Sequence, residues 1–166
     1  MSQEPTAADP IRVLDHPAGV DIATQIIAGA RRKLWIRSLD LESWLFDQPG
    51  LLDALRNFAT SGRDVQVQVL LHDAAAPQNT HAKLLDLAQR MPSVFQFREV
   101  DEPAYREDRA ALIANDTGGY YFRAQGERPE GSACLDARAR VRQLQQRFSE
   151  IWERSRPVSE YRALGI

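Results

Sequence analysis

Residues 62–71 read Gly62-Arg63-Asp64-Val65-Gln66-Val67-Gln68-Val69-Leu70-Leu71, and from Asp64 onward this is the clearest strand in the chain. Val65, Val67, Val69 and Leu71 alternate with Gln66, Gln68 and Leu70, the period of two that sets one face of a strand into a core. The strand ends at His72-Asp73. Immediately upstream, Leu51, Leu52, Leu55, Phe58 and Ala59 predict a helix over 50–60, closed by Ser61-Gly62. Further upstream, Leu34-Trp35-Ile36 is a short apolar run ending in Arg37-Ser38-Leu39-Asp40, which suits a buried strand. Before it, Val20, Ala23, Ile27, Ala30 and Leu34 follow steps of three and four, which predicts a helix from Val20. Asp21 falls in its first turn and Arg31, Arg32 and Lys33 in its last, as the helix dipole favours.

Downstream of the anchor strand, Leu84, Leu85, Ala88 and Met91 predict a helix from about Thr80 to Arg90, stopped by Pro92. Val94 to Val100 reads as another strand. Asp101 to Asp108 reads as a charged loop, and Ala110–Ala114 with Gly119–Arg123 as an antiparallel pair turning at Asn115-Asp116-Thr117-Gly118. Residues 124–131 read as a polar, flexible loop. A last helix over 135–154 carries one apolar face, with Ala137, Val141, Leu144, Phe148 and Ile151 or Trp152 repeating by four and three. Helices alternating with strands, then a hairpin and a long helix, predict a single α/β domain built on a mixed sheet. Residues 1–10 offer little to bury and read as a disordered tail, with order beginning near Ile11.

Composition narrows the function classes. The chain has 166 residues, 43% of them apolar and 27% charged, the balance of one folded domain. With 21 basic and 23 acidic residues the net charge is −2, so a polybasic protein is excluded and nucleic-acid binding would need a local patch. Lys33 and Lys83 are the only lysines; the arginine excess suits bidentate anion contacts and equally suits coding bias. Cys134 is the sole cysteine, which rules out an internal disulfide and a four-cysteine or Cys/His zinc site and fits a reducing compartment. There is no run of 18 apolar residues and no signal-peptide pattern, so the expectation is a soluble cytoplasmic protein without a membrane partner.

In an open α/β sheet, functional groups gather beyond the carboxyl ends of the strands. Ser38, Asp40 and Glu42 follow one strand, His72 and Asp73 the next, and Asn115 and Asp116 lie at the hairpin. Such groups serve acid–base or metal chemistry, or they cap the helices that follow. No recognised metal-ligand spacing is present, so neither metal nor cofactor is expected. His81 and Lys83 stand at the start of a helical pattern, where residues two apart face different ways, and read as solvated surface. Cys134 has no evident base beside it. On the last helix Arg138, Arg140, Arg142 and Arg147 form a basic cluster. Arg140, Arg147 and Arg154 share one edge of the apolar face, and Arg140 and Arg147 are the candidates for an anion-binding helix. Phosphate loops, dinucleotide fingerprints, zincin motifs and the hydrolase nucleophile elbow are all missing.

The order of segments resembles a phospholipase D-like domain. The resemblance rests on Ala30 to Leu41, Leu51 to Ala59 and Gly62 to Leu71 in the first half. In the second it rests on Asn115-Asp116 after an apolar strand, Gly131-Ser132, and the closing Phe148-Ser149-Glu150-Ile151-Trp152. It implies an α/β/α sandwich over residues 11–166 and, in that family, catalysis by H-x-K-x-x-x-x-D. With Asp116 as the motif's acid, Arg109 stands where the histidine belongs and Ala111 where the lysine belongs. Arginine cannot act as a deprotonated nucleophile and alanine carries no charge. The alternative His81-Ala82-Lys83 has Asp86 at the wrong distance, and Leu135 stands where an asparagine is expected after Gly131-Ser132.

The resemblance therefore implies a bacterial-type domain that has lost its catalytic motif and acts in binding or regulation, with a phosphate-bearing ligand at Arg109 and a homodimer as in single-motif members. Asp116, His72, Asp73 and Asp40 are the other candidate ligand-binding residues. Two alternatives are a hydrolase using Asp40, His72 and Asp73, and a nucleic-acid-binding module using the arginine-rich last helix.

Overall fold

The structure is a computed structural model that describes residues 8–161; of the expected tail, residues 1–7 lie outside the described residues. Among the described residues, eight strands and seven α-helices follow one another as β1 (Ile11–Val13), α1 (His16–Ala28), β2 (Lys33–Ser38), α2 (Ser43–Phe46), α3 (Pro49–Ala59), β3 (Gln66–Leu71), α4 (Ala75–Asn79), α5 (Lys83–Arg90), β4 (Phe95–Glu99), α6 (Pro103–Arg106), β5 (Ala111–Asn115), β6 (Tyr120–Arg123), β7 (Gly131–Cys134), α7 (Arg138–Glu153) and β8 (Arg156–Pro157). They build a single α/β domain on one mixed sheet of order β1-β7-β6-β5-β2-β3-β4-β8. β2, β3 and β4 run parallel, joined by helical crossovers, and the other pairings are antiparallel.

The two faces of the sheet are covered unequally. Alternate residues Leu34 and Ile36 of β2 and Val67, Val69 and Leu71 of β3 pack on one side against Ile22, Ile26 and Ile27 of α1, Leu51 and Leu55 of α3 and Leu84 of α5. The opposite set, Trp35, Leu70, Leu112, Ala114 and Tyr120, meets Val141, Leu144, Phe148, Ile151 and Trp152 of α7. Each fully buried Leu, Ile or Phe contributes about 1.5–3 kcal/mol, which makes these two layers the main stabilising term.

Several boundaries differ from the sequence reading, each for a local reason. α1 starts at His16 rather than Val20, because the Asp15 side chain caps it by accepting from the Ala18 amide and Pro17 fits the first turn. It ends at Ala28, so Arg31 and Arg32 lie in the turn after it and Lys33 begins β2 instead of completing the helix. The helix expected over 80–90 begins later, as α5 at Lys83, and a separate short helix not read from the sequence, α4, precedes it, with His81 at φ 53° in the link between them. α7 begins at Arg138 rather than Leu135. The loop expected to be flexible is tied down: Gly126 N donates to Arg109 O at 2.8 Å, Arg123 Nη1 donates to Gly126 O at 2.6 Å, and the Tyr121 hydroxyl donates to Pro129 O. Its end forms β7, which together with the edge strand β1 was too short and mixed in polarity to show a period.

Candidate functional site

Parallel strands β2 and β3 end side by side, and the chain leaves both in tight, hydrogen-bonded turns. His72 N donates to Ser38 O and Leu39 O, both at 3.2 Å, and Asp73 N donates to Leu39 O at 2.8 Å. Beyond β2, Ser38 Oγ donates to Glu42 Oε2 at 2.6 Å, Leu39 N donates to Glu42 Oε1 at 3.3 Å, and Leu41 N donates to Ser38 Oγ at 2.9 Å. This lattice holds Leu41 at φ 60°, a left-handed conformation that an unsupported leucine avoids. Ser38 and Glu42 therefore shape the loop that presents Asp40.

Above the strand ends is a cleft of about 590 Å³, lined among others by Asp40, Glu42, Trp44, His72, Asp73, Arg106, Arg109 and Glu127. Of the residues singled out in the sequence, Asp40, His72, Asp73 and Arg109 thus come together. Gly126 presses on Arg109 from the loop behind it: a Cβ there would lie 3.0 Å from Arg109 O and 3.0 Å from Leu39 Cγ. Arg109 itself is half exposed and faces Glu127 at 3.6 Å, a solvated pair that leaves its guanidinium available. Asp73 caps α4 through Oδ1, which accepts from the Ala75 and Ala76 amides. Burial and the neighbouring Asp73 raise the Asp40 carboxyl above its usual range, against a smaller pull from Arg109.

Under the cleft lies a charged node. Arg37, 5% exposed, sends Nη2 to Asp108 O at 2.7 Å and Nη1 to Asp108 Oδ2 at 3.3 Å, and Nη2 also stands 3.3 Å from His72 Nε2. Arginine only donates, so His72 Nε2 accepts and the ring proton of the neutral imidazole is on Nδ1. Burial first, then the positive charges of Arg37 and Arg109, push the His72 pKa down to about 4, with Asp108 opposing and Arg106 adding to the effect. Burial alone would raise the Asp108 carboxyl, but Arg37, the Ala110 amide and Arg147 together bring it below its ordinary value. His72 is therefore uncharged near neutral pH, with its acceptor nitrogen already engaged.

Asp116 is elsewhere. Its Oδ1 accepts from Arg31 N at 2.9 Å and its Oδ2 from Arg32 N at 3.0 Å, ahead of the first residue of β2 and so at the opposite end of the sheet from His72. Asn115 beside it holds the hairpin turn, in which Gly118 takes φ 102°. On α7, Arg147 reaches the node, 3.8 Å from Asp108 Oδ2 and 5.1 Å above the Tyr105 ring. Arg140, two turns earlier on the same helix edge, donates to Gln143 Oε1 at 3.2 Å and to no other side chain among the described residues. His81 is exposed between α4 and α5, and Cys134 is buried.

Sequence reasoning did not single out Arg37, Arg106, Asp108 or Arg123. The available signal was an arginine closing an otherwise apolar strand, at Arg37 after Leu34-Trp35-Ile36 and again at Arg123 after Tyr120-Tyr121-Phe122. Arg123 is 1% exposed, lies against Trp44 and Tyr121, and stands 3.7 Å from Glu42.

Among known families, the model described as a domain of unknown function, DUF7931, matches residues 15–164. The chain belongs to the DUF7931 family. No curated protein matches this DUF7931 chain. Solved structures with the same fold include NucT from Helicobacter pylori, at 10% identity and TM-score 0.65, covering 90% of this chain and 99% of that one. Nuc from Salmonella typhimurium, a phospholipase D family member, matches at 13% identity and TM-score 0.60 over 90% of this chain and 99% of that one. TrmBL2, an archaeal chromatin protein described as showing a novel mode of DNA binding, matches at 15% identity and TM-score 0.64; the match covers 93% of this chain and 56% of that one, so the DUF7931 chain spans little more than half of its length. The DUF7931 domain thus has the phospholipase D-like fold. No helix among the described residues is long and apolar enough to cross a membrane.

Proposed function

We propose that this domain binds a phosphate-bearing ligand at the cleft through Arg109, without cleaving it, as a binding or regulatory module. The observation that carries this reading is the His72–Arg37–Asp108 node: the one histidine lining the cleft has its Nε2 occupied by a guanidinium and is kept neutral by surrounding cations. Its nucleophilic lone pair is used, while Arg109 and Arg106 at the rim offer donors in the geometry that matches oxyanions. Arg109, His72, Asp73 and Asp40 form the ligand-binding set of the proposal. Asp116, at the far end of β2, takes a structural part in it.

Pyrophosphate serves as the probe. The expected result is a rise in Tm for the full chain, lost in Arg109→Ala, with no release of nitrophenol from bis-nitrophenyl phosphate by either protein. Turnover abolished by Arg109→Ala overturns the non-catalytic reading. Turnover that survives Arg109→Ala but is lost in Asp40→Asn or Asp73→Asn favours the alternative hydrolase instead.

The phosphate can be that of a nucleic acid. In favour stand the DNA-binding description of TrmBL2 and the exposed Arg138, Arg140, Arg142 and Arg147 on α7. Binding of an oligonucleotide that weakens steeply with salt supports this source, and salt-independent binding sinks it. A cytoplasmic homodimer of bacterial type remains part of the proposal, and sedimentation of the full chain as a monomer at micromolar concentration removes the dimer from it.

A further inference from the structure

The two outer strands of the sheet carry opposite chemistry. At one edge β8 consists of Arg156 and Pro157. Proline has no N–H to offer a further strand, and Arg156 turns to Glu99 at 2.7 Å and Glu160 at 3.4 Å, so this edge is blunted. At the other edge β1 pairs with β7 alone, reads Ile11-Arg12-Val13 and has neither device. The large apolar side chains exposed among the described residues are Ile11, Leu14 and Leu135, and all three lie at this end of the sheet, Leu135 directly after β7. The layer packed under α7 holds no residue of β1. A groove of about 480 Å³ lies open there instead, lined by residues 10–14, Phe122, Ala124 and residues 130–132. Its two charged residues are Arg12 and Glu130, and neither makes an ion pair among the described residues.

We infer that this edge is the interface with a second copy of the chain, formed by antiparallel pairing of β1 with β1 about a twofold axis. The inference rests on the homodimer of the proposal above and names its surface; it is independent of phosphate binding at the cleft. Antiparallel pairing of a strand with its own copy is twofold by construction, so the edge closes on itself and leaves no open strand to grow a fibre. A three-residue ladder is too short to hold two copies, and the groove supplies the remaining contact. A ladder centred on Val13 keeps the two Arg12 side chains apart and sets each opposite Leu14 of the partner subunit. The β1–β7 register, in which Arg12 faces Ser132 and Val13 faces Gly131, puts Glu130 next to Leu14 in the same row. Each Arg12 thus lies one strand away from Glu130 of the partner subunit, and the charge pair is made twice. Charge complementarity between copies accounts for the Arg12 and Glu130 left unpaired in one, and burial of Leu14 for its exposure.

Sedimentation equilibrium of the full chain at micromolar concentration tests this. The expected result is a dimer whose dissociation constant rises at least about tenfold in Leu14→Asp, in Arg12→Glu and in Glu130→Arg. The double variant Arg12→Glu, Glu130→Arg returns it to within about threefold of the wild type, a rescue that a merely structural role for either residue does not give. All three positions are exposed, and unchanged far-UV spectra show that the variants fold. A wild type that stays monomeric overturns both the dimer and this surface, and leaves the edge to another protein or to residues 1–7. A dimer that forms equally well in Leu14→Asp and Arg12→Glu, or a double variant no better than the single ones, overturns the surface alone and leaves the dimer standing.

Discussion

The two ends of β2 carry similar residues in opposite conditions. At its start, Asn115 and Asp116 spend their side-chain oxygens on local amides: Asn115 Oδ1 accepts from the amides of Thr117 and Gly119 and from the Thr117 hydroxyl, its Nδ2 donates to Ile26 O, and Asp116 takes the Arg31 and Arg32 amides. At its end, Asp40 stands at the cleft with a raised carboxyl, Arg109 has only a loose solvated partner, and Arg37 keeps an unpartnered Nε. A polar group whose valences are filled by its own backbone holds the fold. One left short beside a cavity is free for a ligand. Hydrogen-bond completeness, more than residue type, separates the two ends.

The largest effect expected is at the structural end. Asn115→Ala strips the Ile26 carbonyl and the Gly119 amide of their partners in a site that is 2% exposed, and should cost about 3 kcal/mol, or roughly 6–12 °C in Tm. Thermal unfolding measures it. A loss of less than 1 °C would mean that the turn is not held by this side chain and would blur the contrast between the ends. Next is His72 at the functional end. Its pKa is about 4 in the fold against about 6.5 unfolded, so the unfolded chain takes up the proton first. The stability that neutral His72 allows is full above about pH 6.5 and falls progressively as the pH drops towards 4. The urea midpoint of the wild type should therefore fall more steeply across that window than that of His72→Gln, and parallel curves would remove the desolvated-imidazole account.

The sheet was legible because strands β2 to β5 carry their own period. Val65 to Leu71 alternates, and the run before Arg37 is apolar. The hairpin at 115–118 announced itself by Asn, Asp and Gly, and α7 by its stripe. β1, β7 and β8 were not legible, since two to four residues hold too little period to detect. The site was half legible. Position after a strand flagged Asp40, His72 and Asp73, and the family register flagged Arg109. The same register placed Asp116 with them, because spacing along a chain says nothing of which end of β2 a hairpin residue reaches. Arg37 and Asp108 escaped notice since their importance lies in a contact across 71 residues of sequence.

Two smaller effects sharpen the contrast. Arg109→Ala should change stability by no more than about 0.5 kcal/mol, because the pair it loses is solvated, while weakening pyrophosphate binding at least about tenfold by calorimetry. Stability lost without any change in binding would move Arg109 to the structural class.

Asp116→Ala is the converse and the smallest. Asp116 accepts from two consecutive amides in the turn between α1 and β2, and water can reach those amides once the carboxylate is gone, since the site is exposed. The expected loss is about 1 kcal/mol, the usual value of a cap of this kind, and roughly 2–4 °C in Tm. Pyrophosphate affinity should stay as in the wild type, because the whole length of β2 separates this carboxylate from Arg109 and His72. Should Asp116→Ala instead abolish binding while the fold stays intact, the ligand would have to sit at the hairpin end. Filled hydrogen-bond valences would then mark the ligand end of β2, and unfilled ones the structural end.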